Sequence, residues 1–302
     1  TDTTHWGDDA TKGFSEAISM AERSEAVVMC MGLSPALEGE EGAVAASDGG
    51  GDRTSLDLPG MQQELLQAVV DTGKPVILVL FNGSSVTINW SQENIPAILE
   101  AWYPGEKGGT AIADILFGDC NPSGRMPLTF VKSLDQVPPF TDYSMEGRTY
   151  RYLEDEPLYP FGYGLSYTEF EYSQLELDSE KVKAGETLAI TVKVKNTGDK
   201  AGKEVVQLYL EDLEASVRVP LCELQGIEKV NLKPGEEKTV SFELSPEQMA
   251  LIDNDGNCIL EPGQFRISVG GRQPDCRSEE LAGTEVLTET FSVVGEEMQL
   301  EY

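Results

Sequence analysis

Apolar positions in the first half of the chain follow two alternating rhythms. FSEAISMAER, residues 14–23, spaces its apolar side chains at helical intervals. AVVMCMGL, residues 26–33, is a continuous apolar run ending in glycine, the pattern of a strand buried on both faces. Residues 60–72 return to helical spacing, with Pro59 before them and Gly73 after them as start and stop signals. PVILVLFNG, 75–83, and AILEAWYPG, 97–105, predict two more buried strands, and KGGTAIADILFG, 107–118, a helix closed by Gly118. Helices alternating with buried strands predict an open α/β/α sandwich with a mainly parallel sheet. The first element is a helix, and only three or four strands precede residue 131. A doubly wound sheet opens with a strand and holds about five or six, so the chain reads as beginning inside a domain.

The rhythm changes near residue 170. YSQLELDS, LAITVKVKNTG, EVVQLYLED, KTVSFEL and QFRISVGG alternate apolar and polar residues, and NTGD, KPGEE, DNDGN and EPG separate them as turns. This predicts an antiparallel β-sandwich of about seven strands, fibronectin type III-like. GRTYRYLEDEPLYPFGYGLSYTEF carries too many aromatics for a disordered linker and reads as a packed connector. The division is 1–140 for the α/β sandwich, 141–169 for the connector and 170–302 for the β-sandwich. Arg148, Tyr150, Tyr152, Tyr159, Phe161 and Tyr163 are expected to lock the connector by packing.

Charge and cysteine usage narrow the function. With 22 Lys+Arg against 53 Asp+Glu the net charge is −31, a surface that repels phosphate backbones and makes nucleic acid a poor partner. There is no apolar run of about 18 residues to span a membrane. Cys30, Cys120, Cys222, Cys258 and Cys276 are scattered without a CxxC, and His5 is the single histidine, so zinc ligation and His-based triads are poor hypotheses. The odd cysteine count and a first segment unlike a secretory leader lead us to expect a cytoplasmic setting. No metal or organic cofactor is called for.

Candidate chemistry lies in LEGEEGAVAASDGGGDR, residues 37–53. Ligands of open α/β sheets collect beyond the carboxyl ends of the strands, where Glu38, Glu40 and Glu41 fall. Crowded carboxylates resist ionising together, and one kept protonated can serve as a general acid. The plain alternative is a solvated acidic loop over residues 38–51, with Asp52-Arg53 closing its base by an ion pair. GGGD is no nucleotide fingerprint, and the NGS at 82–84 follows a buried strand and reads as a turn.

GLSPALEGEE, GGDRTSLDLPGMQQELLQAV, PVILVLFNGSSVTINW, AWYPGEKGGTAIADILFGDCNPSGRMPLTF and PLYPFGYGLSYTEF together resemble the C-terminal half of glycoside hydrolase family 3 enzymes. TVKVKNTGDKAGKEVVQLYLED and LKPGEEKTVSFEL are similar to that family's fibronectin type III-like domain, and VGGRQPDCRSEELAG to members described as β-xylosidases. The resemblance implies exo-acting, retaining hydrolysis of terminal β-D-xylosyl or β-D-glucosyl residues of oligosaccharides or aryl glycosides. It implies a nucleophilic Asp on a (β/α)8 barrel; neither that barrel nor an SDW motif lies in these 302 residues. The acid/base role falls on Glu40, with Glu38 and Glu41 as rivals one or two positions away. Many relatives carry the DR pair close behind the acid, whereas GAVAASDGGG intervenes here. The reading from another class is a non-catalytic carbohydrate-binding or scaffold protein built from the two domains alone.

Overall fold

A computed structural model of the chain describes residues 13–39 and 53–301. The chain forms two compact units, Thr1–Phe117 with Phe130–Val137, and Gly118–Thr129 with Pro138–Tyr302.

The first unit follows the predicted alternation. Helix α1 (Phe14–Glu22) leads to β1 (Val27–Gly32), and the short α2 (Pro35–Glu38) follows it. Helix α3 (Gln62–Val70) packs against α1 and β1 and precedes β2 (Val76–Phe81). Next come α4 (Asn89–Asn94), β3 (Ala97–Glu100) and α5 (Gly108–Leu116). β1, β2 and β3 form one parallel sheet in that order. β2 is central; Val76, Leu78, Val79 and Leu80 are all buried, which accounts for an apolar run without alternation. β1 differs from expectation, because Val28 and Cys30 on one of its faces are exposed. β3 ends at Glu100, short of the predicted 105, because Trp102 turns the chain with φ +53°. Leu58, Leu66, Val69, Val86, Ile88 and Phe130 complete this unit's core.

The second unit opens the connector with helix α6 (Thr149–Tyr152). Strands β4 (Phe170–Leu177), β5 (Lys181–Lys183), β6 (Leu188–Asn196), β7 (Gly202–Asp212), β8 (Glu223–Leu232) and β9 (Glu237–Leu244) follow. β10 (Leu251–Ile252), β11 (Cys258–Leu260), β12 (Gly263–Gly270), helix α7 (Cys276–Ala282), β13 (Leu287–Val294) and β14 (Met298–Leu300) complete it. A five-stranded sheet β5-β13-β12-β7-β8 and a three-stranded sheet β4-β6-β9 enclose one core; β10, β11 and β14 make a small third sheet. Leu188, Ile190, Val192 and Val194 of β6 are buried at every second position, the alternation that predicted a sandwich. Two features lay outside that expectation: there are more strands, and β5 pairs with β13 in parallel.

Candidate functional site

At the carboxyl end of β1 the chain approaches β2 more closely than a side chain allows. Gly32 has φ +127°, and a Cβ there would fall 2.2 Å from Phe81 O. Gln62, from the first turn of α3, clasps the same residue, donating to Gly32 O at 2.8 Å and accepting from Gly32 N at 2.7 Å. Ser34 then caps α2 by accepting from Leu37 N at 3.3 Å, with Pro35 at the first helical position. Strand end and cap together set where Glu38, the last residue of α2, emerges.

Glu38 is not the start of a free loop. Its carboxylate accepts from Gly83 N at 3.0 Å and, in close hydrogen bonds, from Ser84 Oγ and Tyr103 Oη. These donors come from the turns after β2 and β3. Burial pushes the Glu38 carboxyl up. The bonds from Ser84, Tyr103 and Gly83 and the charge of Arg53 outweigh it, holding the group below the usual range. A carboxyl so held is ionised near neutrality, and acts there as an acceptor and an anchor.

Arg53 reaches the same turn. Its Nη2 donates to Ser84 Oγ at 2.9 Å and to Ser85 O at 2.8 Å. The stem is held further along, where Asp57 and Thr87 form a parallel bridge, Thr87 N donates to Leu56 O at 2.8 Å and Thr87 Oγ1 bonds to Asp57. Both ends of the acidic segment are therefore fixed to the turn after β2. The sequence reading placed an Asp52–Arg53 ion pair at this base; Asp52 lies outside the described residues, and the Arg53 bonds within them go to Ser84 and Ser85. Glu40 and Glu41 and the rest of the loop expected over 38–51 lie outside the described residues as well.

Two further groups complete the cluster. Asn82 is fully buried, and its Nδ2 donates to Ser84 O at 2.9 Å, so NGS is a turn, as expected. Glu100 ends β3 and accepts from Trp102 N at 3.0 Å; burial pushes its carboxyl up to about 7. Among the described residues no group of three His, Cys, Asp or Glu is placed to hold a metal ion, and no helix is long and apolar enough to cross a membrane.

The family model described as Glycosyl hydrolase family 3 C-terminal domain matches residues 7–167, and the one described as Fibronectin type III-like domain matches residues 204–273. The chain belongs to glycosyl hydrolase family 3. It is 46% identical to a β-xylosidase of Formosa agariphila over 86% of this chain and 35% of that protein. It is 42% identical to a xylan 1,4-β-xylosidase of Xylanibacter ruminicola over 85% of this chain and 30% of that one. Among solved structures it is similar to a β-glucosidase from Erythrobacter marinus, with TM-score 0.80, 40% identity, and 94% of this chain and 36% of that one covered. The chain thus spans about a third of the length of the curated relatives it matches.

The motifs that carried the family resemblance divide between the two units. GLSPALEG and the NGSS and AWYPG turns build the Glu38 cluster. NPSGRMPLT and PLYPFGYGLSYTEF serve the second unit instead. There Arg125 pairs with Glu204 at 2.7 Å, and Tyr172 Oη donates to the other Glu204 oxygen at 2.7 Å. Gln207 Nε2 donates to Gly162 O at 3.0 Å and Gly271 O at 2.9 Å, while Tyr209 Oη donates to Gln207 at 2.7 Å. Gly162 has φ +75° and no room for a Cβ, which would meet Gln207 Oε1 at 2.2 Å. The connector aromatics pack, as expected: Tyr150 stacks on Phe161 at 4.3 Å, and Tyr159 on Tyr163 at 6.0 Å.

Sequence reasoning missed Ser84, Asn82, Glu100 and Tyr103. Glu100 carried a signal, being the only acid in the apolar run AILEAW. Ser84 and Tyr103 carried none, because their partners lie far away along the chain, and Asn82 was legible only as part of the NGS turn.

Proposed function

We propose that this chain is the acid/base-bearing part of a retaining, exo-acting β-glycosidase that removes terminal β-D-xylosyl or β-D-glucosyl residues from oligosaccharides. Glu40 is the acid/base, and Glu38 is the anchor that sets its loop. The nucleophilic carboxylate belongs to a (β/α)8 barrel outside these 302 residues. The observation that carries the reading is the fixing of both ends of segment 40–52, through Glu38 and Arg53, to the β2 turn at the ligand-binding edge of the sheet. Membership of family 3, and relatives named β-xylosidase and β-glucosidase, support the substrate class.

In this reaction the nucleophile attacks the anomeric carbon while Glu40 gives its proton to the glycosidic oxygen, so the C–O bond breaks and a glycosyl ester forms. Water then attacks the anomeric carbon, Glu40 takes its proton, and the ester breaks with net retention. The two carboxyl groups of retaining enzymes stand about 5–5.5 Å apart. One of them is supplied here, so the 302-residue chain by itself should turn over neither aryl β-xylosides nor aryl β-glucosides. The test is turnover of both substrates by the full polypeptide, with the anomer of the first-formed product read by NMR. A β-configured first product is expected. An α-configured product, or no turnover of either glycoside, contradicts the reading.

A further inference from the structure

Two aromatic rings of the second unit are left in solvent. Phe140 is 79% exposed and Tyr143 83% exposed; among the described residues neither ring stacks on another, and the Tyr143 hydroxyl has no hydrogen-bond partner. The loop that carries them, residues 138–148, is nevertheless tied down. Arg148 Nη2 reaches back across it to Pro138 O at 3.3 Å, Pro139 O at 2.7 Å and Asp142 O at 2.9 Å. Asp142 N donates to Pro139 O at 2.9 Å, closing a turn around Phe140, and Arg148 N donates to Met145 O at 3.0 Å, closing a second. Ser144 N donates to Asp142 Oδ1 at 2.9 Å between them. Gly147, at φ +67°, backs onto Pro138, whose Cγ would meet a Cβ there at 3.3 Å. The foot of the loop is held as well: Tyr150 Oη accepts from Leu224 N at 3.1 Å, and Glu146 pairs with Arg218.

None of these bonds runs through the side chains at 140 and 143, so the rings are not what orders the loop. Rings that stay in water forgo the gain of burial; on a loop already fixed they form a contact surface that is ordered before a ligand arrives. Size and charge select the occupant. Two aromatic side chains bury at most about 500 Å², short of the roughly 800 Å² per partner of a stable protein interface. The net charge of −31 repels nucleic acid, anionic surfaces and a second copy of the chain alike. A neutral polyol meets neither obstacle. In β-D-xylopyranose and β-D-glucopyranose every hydroxyl is equatorial, so the axial C–H bonds give each sugar an apolar face of phenyl size, which the negative face of an aromatic ring attracts. The exposed Asp142 carboxylate, between the two ring positions, offers an acceptor to the hydroxyls at the sugar's edge.

We propose that loop 138–148 is a carbohydrate-contact site, in which Phe140 and Tyr143 stack on pyranose units of a β-1,4-linked xylose or glucose chain and hold the polymer to the second unit. The choice of sugar rests on the glycosidase reading above; the exposed rings and the fixed loop do not depend on it.

The test is affinity electrophoresis of the 302-residue chain through native gels holding soluble xylan or soluble β-glucan, with amide NMR in the presence of xylohexaose or cellohexaose. Retardation by at least one polymer is expected, and the stronger of the two names the sugar. Amide shifts should centre on residues 138–148. Tyr143→Ala and Phe140→Ala should each weaken binding about tenfold, while Tyr143→Phe, which keeps the ring, should stay within about threefold of wild type. The site is overturned if neither polymer slows the chain, if both alanine variants bind as wild type does, or if the chain is a dimer that Tyr143→Ala dissociates. It is also overturned if the difference between wild type and Tyr143→Ala disappears in the full polypeptide, which would give the rings to another part of that protein. Binding needs no hydrolysis, so a failed role for Glu40 leaves the retardation standing, and absent retardation removes the loop site alone.

Discussion

Glu38 and Arg53 meet on a single hydroxyl: Ser84 Oγ donates to Glu38 Oε1 and accepts from Arg53 Nη2 at 2.9 Å. The two residues stand on either side of segment 40–52. Their common partner makes the separation of the loop's ends a property of the sheet, whatever the loop itself does. A short side chain in the β2 turn therefore ties together the two residues that flank the segment.

Ser84→Ala removes both bonds at once. Arg53 keeps Ser85 O, and Glu38 keeps Gly83 and Tyr103. The expected cost is about 1–2 kcal/mol, measured by urea unfolding, with faster amide exchange at Gly39 and Gly83. Unchanged exchange at both amides would show that Ser84 does not hold the stems.

Glu38→Gln tests the charge. The carboxyl of Glu38 lies below its ordinary value of 4.5 in the folded chain, so its contribution is present above that value and lost as pH falls through and below it. Wild type should exceed Glu38→Gln in stability at neutral pH, by about 1 kcal/mol for so exposed a group. The difference should narrow as pH falls below 4.5 and close once pH has passed through the lowered folded-state value. A gap that persists into acid would mean that shape, not charge, is what Glu38 contributes.

The second unit offers a buried pair for comparison. Glu204 is 3% exposed and shares its oxygens between Arg125 and Tyr172. Arg125→Met leaves that carboxylate dry and without a counter-charge, with Tyr172 as its remaining hydrogen-bond partner, and should cost about 3–5 kcal/mol. The double change Arg125→Met, Glu204→Leu should recover much of the loss in chemical denaturation. Equal costs for the single and double variants would contradict the pairing.

Gly32→Ala should be severe for a reason of backbone geometry. The added Cβ would meet Phe81 O, a main-chain atom that cannot swing away, at a φ that disfavours alanine. A loss of about 2 kcal/mol or more is expected in thermal or urea unfolding. A near-neutral result would mean that β1 can move off β2.

What the sequence made legible follows from how local each cause is. β2 was readable because six successive residues of one strand, VILVLF, need burial on both sides. Alternation exposed the sandwich, since burial at every second position is written along each strand, but not the parallel pairing of β5 with β13, which joins residues more than a hundred apart. Helix α4, NWSQEN, carries no apolar period and passed unnoticed. β3 was drawn too long because nothing in AWYPG announces that Trp102 turns left-handed on the Glu100 carboxyl. At the site, the acidic segment was visible as a charge run. The difference between Glu38 and its neighbours was not, because it arises from Gly83, Ser84 and Tyr103, 45 to 65 positions away.

The most direct test of the central claim replaces Glu40 by Gln in the full polypeptide. The amide keeps the size of the acid and cannot donate its proton. Glycosides with poor leaving groups should lose about 100- to 10,000-fold in rate, while activated aryl glycosides lose far less in the step that forms the ester. Added azide, which needs no base, should restore turnover of the activated substrates and yield the β-glycosyl azide. The account is contradicted if Glu40→Gln slows both substrate classes alike without azide rescue. It is equally contradicted if the leaving-group dependence and the rescue follow Glu38→Gln or Glu41→Gln instead.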